Sequence, residues 1–455
     1  MQLYHQLVRH SGNQNLFQAV EMSIAALVNG HPFHIHVEGL RGTGKTTIMR
    51  AARELLPPIV RVKNCLYNCD PAAPHCPEHR GLSAEALAKL GTETVPRPFL
   101  EISHAAKIGT VVGSIDLPKL TNSASPLASF LPGTIPQAHR GIIFIDEINR
   151  LADTAPELVD VLLDVMGTKP GRIQLEETGL PSCEFSVNVT VWAASNPDEE
   201  PGALAQIRKQ LADRFDIVVV MGRPGSYQDI LSILNCRQQT KQSNVAVRKP
   251  LACGDLAGMS VPAKIRDLLA KIYIDFSLES LRAVEALETA ATLAALSAGR
   301  RVVEIGDVSR VVPLVLGHRT DYSTITNILR YLETLEPPAP LAVGRSVTVP
   351  PVGETGQSQS EKTNRAAKKH ISRLWSAFKK LFGAKQDQTT EPPVPPPSKN
   401  SSSGQETPGH TTAGRSPQIA NPAETPVTAP PRPAAPLTSL AVEQYVTGEE
   451  KSSHG

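Results

Sequence analysis

Phe33-His34-Ile35-His36-Val37-Glu38-Gly39-Leu40-Arg41-Gly42-Thr43-Gly44-Lys45-Thr46-Thr47 is the stretch on which the fold turns. Phe33 to Val37 reads as a short apolar strand, and Gly39 to Thr46 matches G-x-x-x-x-G-K-[ST] in full. Thr46 to Leu56 then reads as a helix. The physical reason for such wording is a phosphate cradle. Glycines let successive backbone N–H groups turn inward, and the following helix adds the positive end of its dipole. Lys45 brings a point charge to the β- and γ-phosphates and the Thr46 hydroxyl ligates Mg²⁺. The candidate nucleotide-binding set is therefore Gly39, Leu40, Arg41, Gly42, Thr43, Gly44, Lys45, Thr46 and Thr47.

Working outward, Ile59 to Val62 reads as the next strand, and Gly141 to Ile145, Val187 to Ala194 and Ile217 to Met221 are short apolar runs, as expected of strands covered on both faces. Strands alternating with helical patterns point to a parallel α/β sheet. The run Gly141–Ile145 ends in Asp146-Glu147. A carboxylate there suits a second Mg²⁺ contact, and the next acid can act as general base toward water. The run Val187–Ala194 ends at Ser195-Asn196, where an amide can hold that water. Arg214 stands just before the last strand, and Arg282 lies early in an Ala-rich helix read as Glu279 to Ala298 and ended by Gly299. Either arginine can meet charge on a transferring phosphoryl group. On chemistry alone, a surface ion pair is the favoured reading of each. From Tyr227 onward strands give way to helices.

Cys65, Cys69, Cys76 and His79 form C-x₃-C-x₆-C-x₂-H. Three thiolates and an imidazole are an adequate tetrahedral Zn²⁺ set. A redox-sensitive pair, or reduced thiols without a ligand, fits the same spacing. Cys183, Cys236 and Cys253 read as small apolar fillers.

Composition divides the chain. It has 455 residues, a formal net charge of +2 and 39 prolines, 18 of them among the 120 residues from Glu336 onward. Such a stretch buries too little apolar surface to offset its ordering entropy, so 336–455 is expected to be a disordered tail. Within it, residues 362–385 carry eight Lys/Arg and no acid. Ile371, Leu374, Trp375, Phe378, Leu381 and Phe382 recur there at helical spacing, giving an amphipathic basic helix. That helix suits docking on its own domain, a membrane surface or a partner, with nonspecific nucleic-acid contact the weaker reading. Residues 1–335 hold 33 Lys/Arg and 34 Asp/Glu, which disfavours a nucleic-acid tracking motor. The start lacks the pattern of a signal peptide, and no apolar run is long enough to span a bilayer. The expected location is the cytoplasm, with peripheral membrane contact through 362–385.

These motifs carry a resemblance. From about Phe17 to Arg319 the chain resembles AAA+ ATPases of the magnesium chelatase I-subunit type. The carrying residues are the Gly39–Thr47 loop, Asn68-Cys69-Asp70-Pro71, Val112-Gly113-Ser114-Ile115-Asp116-Leu117, Pro132-Gly133, Ala138-His139-Arg140-Gly141, Ile145-Asp146-Glu147-Ile148-Asn149, and Leu158 to Val165. The resemblance implies an AAA+ core over 1–225, a small all-α lid over 226–335, and the proline-rich tail. It also implies a helix-2 insertion over Ile102–Pro136 and a pre-sensor-1 hairpin beginning at Arg172–Leu180. It assigns Asn196 as sensor 1, Arg214 as an arginine finger acting on a neighbouring subunit, and Arg282 as sensor 2. It implies MgATP as substrate, a homo-oligomeric ring, expected to be a hexamer, and D- and H-type chelatase partners. The expected work is Mg²⁺ insertion into protoporphyrin IX by a partner. A MoxR-like chaperone acting with a von Willebrand-type protein, or a membrane-tethered scaffold switched by ATP, are the alternatives. The tail is a departure from the compact I-subunit pattern.

Overall fold

The computed structural model describes residues 3–115, 130–175, 182–239 and 254–335. The chain divides into two units, Met1–Thr389 and Thr390–Gly455, and all described residues belong to the first. The expected basic helix 362–385 and proline-rich tail lie outside the described residues, as do 116–129 of the expected helix-2 insertion and 176–181 of the expected hairpin.

Eleven strands occur among the described residues: β1 Ile35–Gly39, β2 Ile59–Val62, β3 Thr92–Val95, β4 Phe99–Ile102, β5 Gly113–Ile115, β6 Phe130–Pro132, β7 Gly141–Asp146, β8 Gly171–Leu175, β9 Cys183–Val187, β10 Val189–Ser195 and β11 Ile217–Met221. Five of them form one wholly parallel sheet in the order β11-β1-β10-β7-β4. The other six make three antiparallel pairs, β2–β3, β5–β6 and β8–β9. The α/β class expected from alternating strands and helices is the one found.

Alternation along the strands builds two cores. Ile142, Phe144, Trp192 and Ala194 face one apolar cluster, whereas Ile143, Ile145, Val191 and Ala193 face the other. The first is covered by the helix Gln14–Val28 and by the helices Leu281–Ser297 and Ile305–Leu316; the second by the helices Ile148–Thr154 and Pro156–Val165. A strand covered on both faces must be apolar at every position, which is why these runs do not alternate with polar residues. Trp192 is fully buried, and its indole N–H donates to Ser23 Oγ at 2.9 Å, whose hydroxyl donates to the Phe33 carbonyl at 2.6 Å. The ring thus buries its area with its one polar atom satisfied.

Several expected boundaries move for local reasons. The first strand runs Ile35–Gly39 rather than Phe33–Val37, because the Phe33 carbonyl goes to Ser23 and the His34 N–H donates to Asp216 Oδ2 at 2.7 Å. The helix expected over Thr46–Leu56 is α-helical only over Lys45–Ala51 and tightens to a 3₁₀ turn over Ala52–Leu55. Pro57 and Pro58 lack the N–H groups that would extend it. The run Val187–Ala194 is not one strand. It breaks at Asn188, whose N–H donates to His139 Nδ1 at 3.1 Å and whose amide donates to the Gly30 carbonyl at 2.7 Å. Val187 therefore ends the β8–β9 hairpin, and Val189 starts a strand of the central sheet.

After β11 the described chain is helical: Tyr227–Gln239, Ala263–Asp275, Leu281–Ser297, Ile305–Leu316 and Tyr322–Leu335. The Ala-rich helix presents Ala283, Ala286, Ala290, Ala291, Ala294 and Ala295 inward, small side chains that let the helix Ile305–Leu316 approach closely. It stops at Gly299, which has φ +74°, with Gly299 N–H donating to the Leu296 carbonyl and Arg300 N–H to the Ala295 carbonyl. Those paired bonds are the Schellman closure that glycine permits.

Candidate active site

The order of the parallel sheet puts the C-terminal ends of β1, β10 and β7 side by side. Three loops therefore converge from distant sequence. The Gly39–Lys45 loop leaves β1 with left-handed residues at Gly42 (φ +76°) and Gly44 (φ +94°), which turn its N–H groups inward. Lys45 is largely buried, and its ammonium donates to the Gly39 carbonyl at 2.6 Å, the Leu40 carbonyl at 3.0 Å and Asn196 Oδ1 at 2.6 Å. Burial lowers its pKa, opposed by Asp146 and Glu199. Its three protons are matched by three acceptors, so it is held at the mouth of the loop. The Thr46 hydroxyl lies 3.2 Å from both Asp146 oxygens. A hydroxyl beside a carboxylate is a hard oxygen pair, the donor chemistry that the Mg²⁺ of MgATP requires.

Glu147 follows directly, with φ +58° and ψ +48°, an unusual conformation for a residue with a side chain. Its carboxylate faces Arg150 at 3.3 Å, and Arg150 also reaches Glu199 at 3.7 Å. Asn149 is buried and donates to the carbonyls of Asn196 (3.4 Å) and Gly202 (3.1 Å), tying the loop after β10 to the loop after β7. Arg41 stands 3.9 Å from Glu199. The structure thus brings together Lys45, Thr46, Asp146, Glu147 and Asn196 as the sequence suggests.

Arg214 and Arg282 are brought to each other instead. They share a cleft of about 650 Å³ lined also by Gly167, Asp213, Glu285 and Arg319. Desolvation and the nearby Arg282 guanidinium lower the Arg214 pKa. Among the described residues the Arg214 side chain makes no hydrogen bond or salt bridge, although Asp213 and Asp164 attract its charge, while Arg282 donates to the Gly167 carbonyl at 3.4 Å and lies 3.8 Å from Asp213. None of these partners is in the Gly39–Thr47 loop.

Comparison with known proteins follows the same residues. The family described as "Magnesium chelatase, subunit ChlI" matches residues 9–212, and "AAA lid domain" matches residues 266–328. A magnesium-chelatase 38 kDa subunit from Acidiphilium rubrum is 33% identical over 296 residues, covering 62% of this chain and 81% of that one. The chain belongs to the magnesium chelatase ChlI family. A chloroplastic magnesium-chelatase subunit ChlI from Chlamydomonas reinhardtii is 29% identical, covering 63% of this chain and 69% of the relative. As a ChlI-family member it is an AAA+ ATPase subunit that uses ATP and Mg²⁺, and the resemblance read from the motifs is borne out.

Two groups in this ChlI-family chain escaped sequence reading. Arg50, one turn beyond Thr46, forks onto Glu101 at 2.8–3.1 Å and stands 3.6 Å from Asp146, joining β4 to the metal-side carboxylate. The Arg319 side chain is only 6% exposed and spends all five N–H donors on protein oxygens of the Asp213–Asp216 segment and of Val315, in the last turn of the helix Ile305–Leu316. No local pattern marks either one, since their carboxylate partners lie 51 to 106 residues away.

The four residues Cys65, Cys69, Cys76 and His79 do converge. Their ligand atoms all lie within 4.8 Å of one another, and all four are buried. Contacts from Cys69 and Cys76 hold the Cys65 thiol far below its ordinary value, and the same network pushes Cys76 far above.

Proposed function

We propose that this chain is the motor that couples MgATP hydrolysis to insertion of Mg²⁺ into protoporphyrin IX by a partner chelatase subunit. The observation that carries the reading is the meeting of Lys45, Thr46, Asp146 and Asn196 at the ends of β1, β7 and β10 in a ChlI-family chain. Lys45 and the loop amides hold the phosphates, and Thr46 and Asp146 would hold the Mg²⁺ that travels with ATP. Asn196, released from Lys45, orients water for Glu147. The ion's charge offsets that of the phosphate oxygens.

Arg214 stands outside this set, which supports a role on a neighbouring subunit's nucleotide. A guanidinium that makes no salt bridge among the described residues is available to meet phosphoryl charge in the next subunit. The working form is then a homo-oligomeric ring, proposed as a hexamer, with D- and H-type subunits as partners and the H-type subunit holding the porphyrin.

Reconstitution tests this. Combined with D- and H-type subunits, protoporphyrin IX and MgATP, the wild-type chain should produce the fluorescence of Mg-protoporphyrin, and Lys45→Ala should produce none. Hydrolysis that proceeds with no metallated porphyrin in the complete mixture would refute the coupling. A mixing experiment addresses Arg214. Arg214→Ala and Lys45→Ala rings should each be inactive, while mixed rings should regain part of the ATPase activity, because one type supplies the finger and the other the binding loop. Mixtures as inactive as either parent would show that Arg214 does not act between subunits.

A further inference from the structure

We infer that Cys65, Cys69, Cys76 and His79 form a structural Zn²⁺ site that staples the segment between β2 and the helix Ala84–Leu90. This centre is separate from the Mg²⁺ of the nucleotide and goes beyond the motor assignment.

Geometry is the first ground. Tetrahedral zinc holds sulfur at about 2.3 Å and imidazole nitrogen at about 2.0–2.1 Å, which places neighbouring ligand atoms roughly 3.5–3.8 Å apart. The four ligand atoms here already lie within 4.8 Å of one another, with Cys76 Sγ and His79 Nδ1 at 3.1 Å. Small side-chain rotations close that set on one ion. A disulfide would use two of the sulfurs and leave a buried thiol and an imidazole unexplained. Thiolates of a four-iron cluster each bind a separate iron and stand too far apart for this arrangement.

The surroundings are the second ground. Cys69 Sγ accepts backbone N–H groups from His75 and Cys76, both at 3.4 Å, the outer hydrogen bonding that steadies metal-bound sulfur. His75 Nδ1 lies 3.4 Å from the same sulfur, and the His75 ring stacks on His139 with centroids 3.6 Å apart. Three thiols and an imidazole are soft ligands that select zinc over magnesium or calcium.

The chain around the cluster shows what such a site would do. Residues 63–83 contain neither helix nor strand, yet Cys65, Tyr67, Cys69 and Cys76 are buried. A long irregular loop with a buried interior needs a cross-link to hold it. Asn64 and Asn68 turn the chain at φ +59° and +53° and so bring Cys65 and Cys69 to the same point. From there the loop grips the core: Asn68 donates to the Gln137 carbonyl at 2.6 Å, Arg140 pairs with Asp70 at 3.1 Å, and Arg80 donates to the Glu184 carbonyl at 2.9 Å. A metal here would lock the β2–β3 excursion to the start of β7 and to the β8–β9 hairpin. As the ion binds, any cysteine still carrying its thiol proton gives it up to solvent, and His79 ligates as neutral imidazole.

The test is metal content of the full chain, purified without a metal-affinity tag and without added metal. About one zinc per chain is expected, released when an organomercurial titrates the thiols. Exchange for Co²⁺ should give thiolate-to-cobalt charge-transfer bands and intense tetrahedral d–d bands. Cys69→Ser and Cys76→Ser should lose most of the zinc, His79→Cys should retain it, and Cys236→Ser, outside the cluster, should match wild type. If the serine variants do not fold, the wild-type stoichiometry and the cobalt spectrum decide alone. Wild-type protein with less than about a tenth of a zinc per chain would overturn the site, as would iron in its place or a disulfide among the three cysteines.

Discussion

Glu147→Gln should bind MgATP as wild type does and hydrolyse it about 10²–10⁴-fold more slowly, the usual contribution of a positioned general base. The substitution keeps volume and polarity and removes only the ability to accept a proton. The Arg150 contact at 3.3 Å changes from charged to neutral, and the Asn149 bonds that set the Asn196–Gly202 loop are untouched. Loss should therefore appear in kcat, with KM for ATP within about twofold, because the interaction removed is made only as water attacks. Backbone conformation offers a control. Glu147 sits at φ +58°, where a side chain costs about 1–2 kcal/mol that glycine does not incur. Glu147→Gly should thus fold at least as stably while being equally inactive. Steady-state ATPase assays beside fluorescent-nucleotide titrations separate the terms; near-normal turnover by Glu147→Gln would remove it as the base.

Arg319→Met should destabilise the folded chain by about 3 kcal/mol, the low end for breaking a buried ion pair whose partner keeps some contact with water. Nε donates to Asp213 Oδ1 at 3.0 Å; Nη1 to the carbonyls of Val315 at 2.7 Å and Asp216 at 3.3 Å; Nη2 to those of Asp213 at 2.8 Å and Phe215 at 2.7 Å. Methionine fills the space and satisfies none of the five oxygens. Arg319→Lys has three donors without the planar fork, so it should recover only part of the loss. The segment at stake carries Arg214, and Asp213 also accepts the Ser280 hydroxyl at 3.0 Å at the start of the helix Leu281–Ser297. Stability measured by urea unfolding should fall, and activity of mixed rings made with Lys45→Ala should fall with it. Wild-type stability in Arg319→Met would show that this hub contributes nothing.

The two predictions differ in how far the sequence anticipates them. Glu147 is legible because its position follows from a short rule: an apolar strand, then Asp-Glu, after a phosphate loop. Gly39 to Thr46, Asp146 and Asn196 are legible for the same reason, each standing at the end of a strand whose apolar run announces it. The Schellman stop at Gly299 and the approximate span of the Ala-rich helix are local matters too, and both were readable. Where the sequence reading failed, the deciding partner was remote. Nothing within Val187–Ala194 announces the break at Asn188, since residues on both sides are apolar; the break is imposed by His139 and Gly30.

Composition and spacing alone determined the α/β class, the phosphate loop, the metal-side carboxylate and the four-residue cysteine–histidine set. These depend on strand periodicity, turn chemistry and ligand type, which act within a few residues. Only the tertiary structure decided that Lys45 meets Asn196 across 151 positions, that Arg214 and Arg282 share a cleft away from the loop, and that Arg319 holds the Asp213–Asp216 segment. It also decided that the four zinc-type ligands meet at one point rather than pair off. The physical reason is that hydrogen bonds, ion pairs and metal sites are short-ranged in space and indifferent to separation along the chain. Their partners are chosen by the order in which the sheet lays its strands side by side.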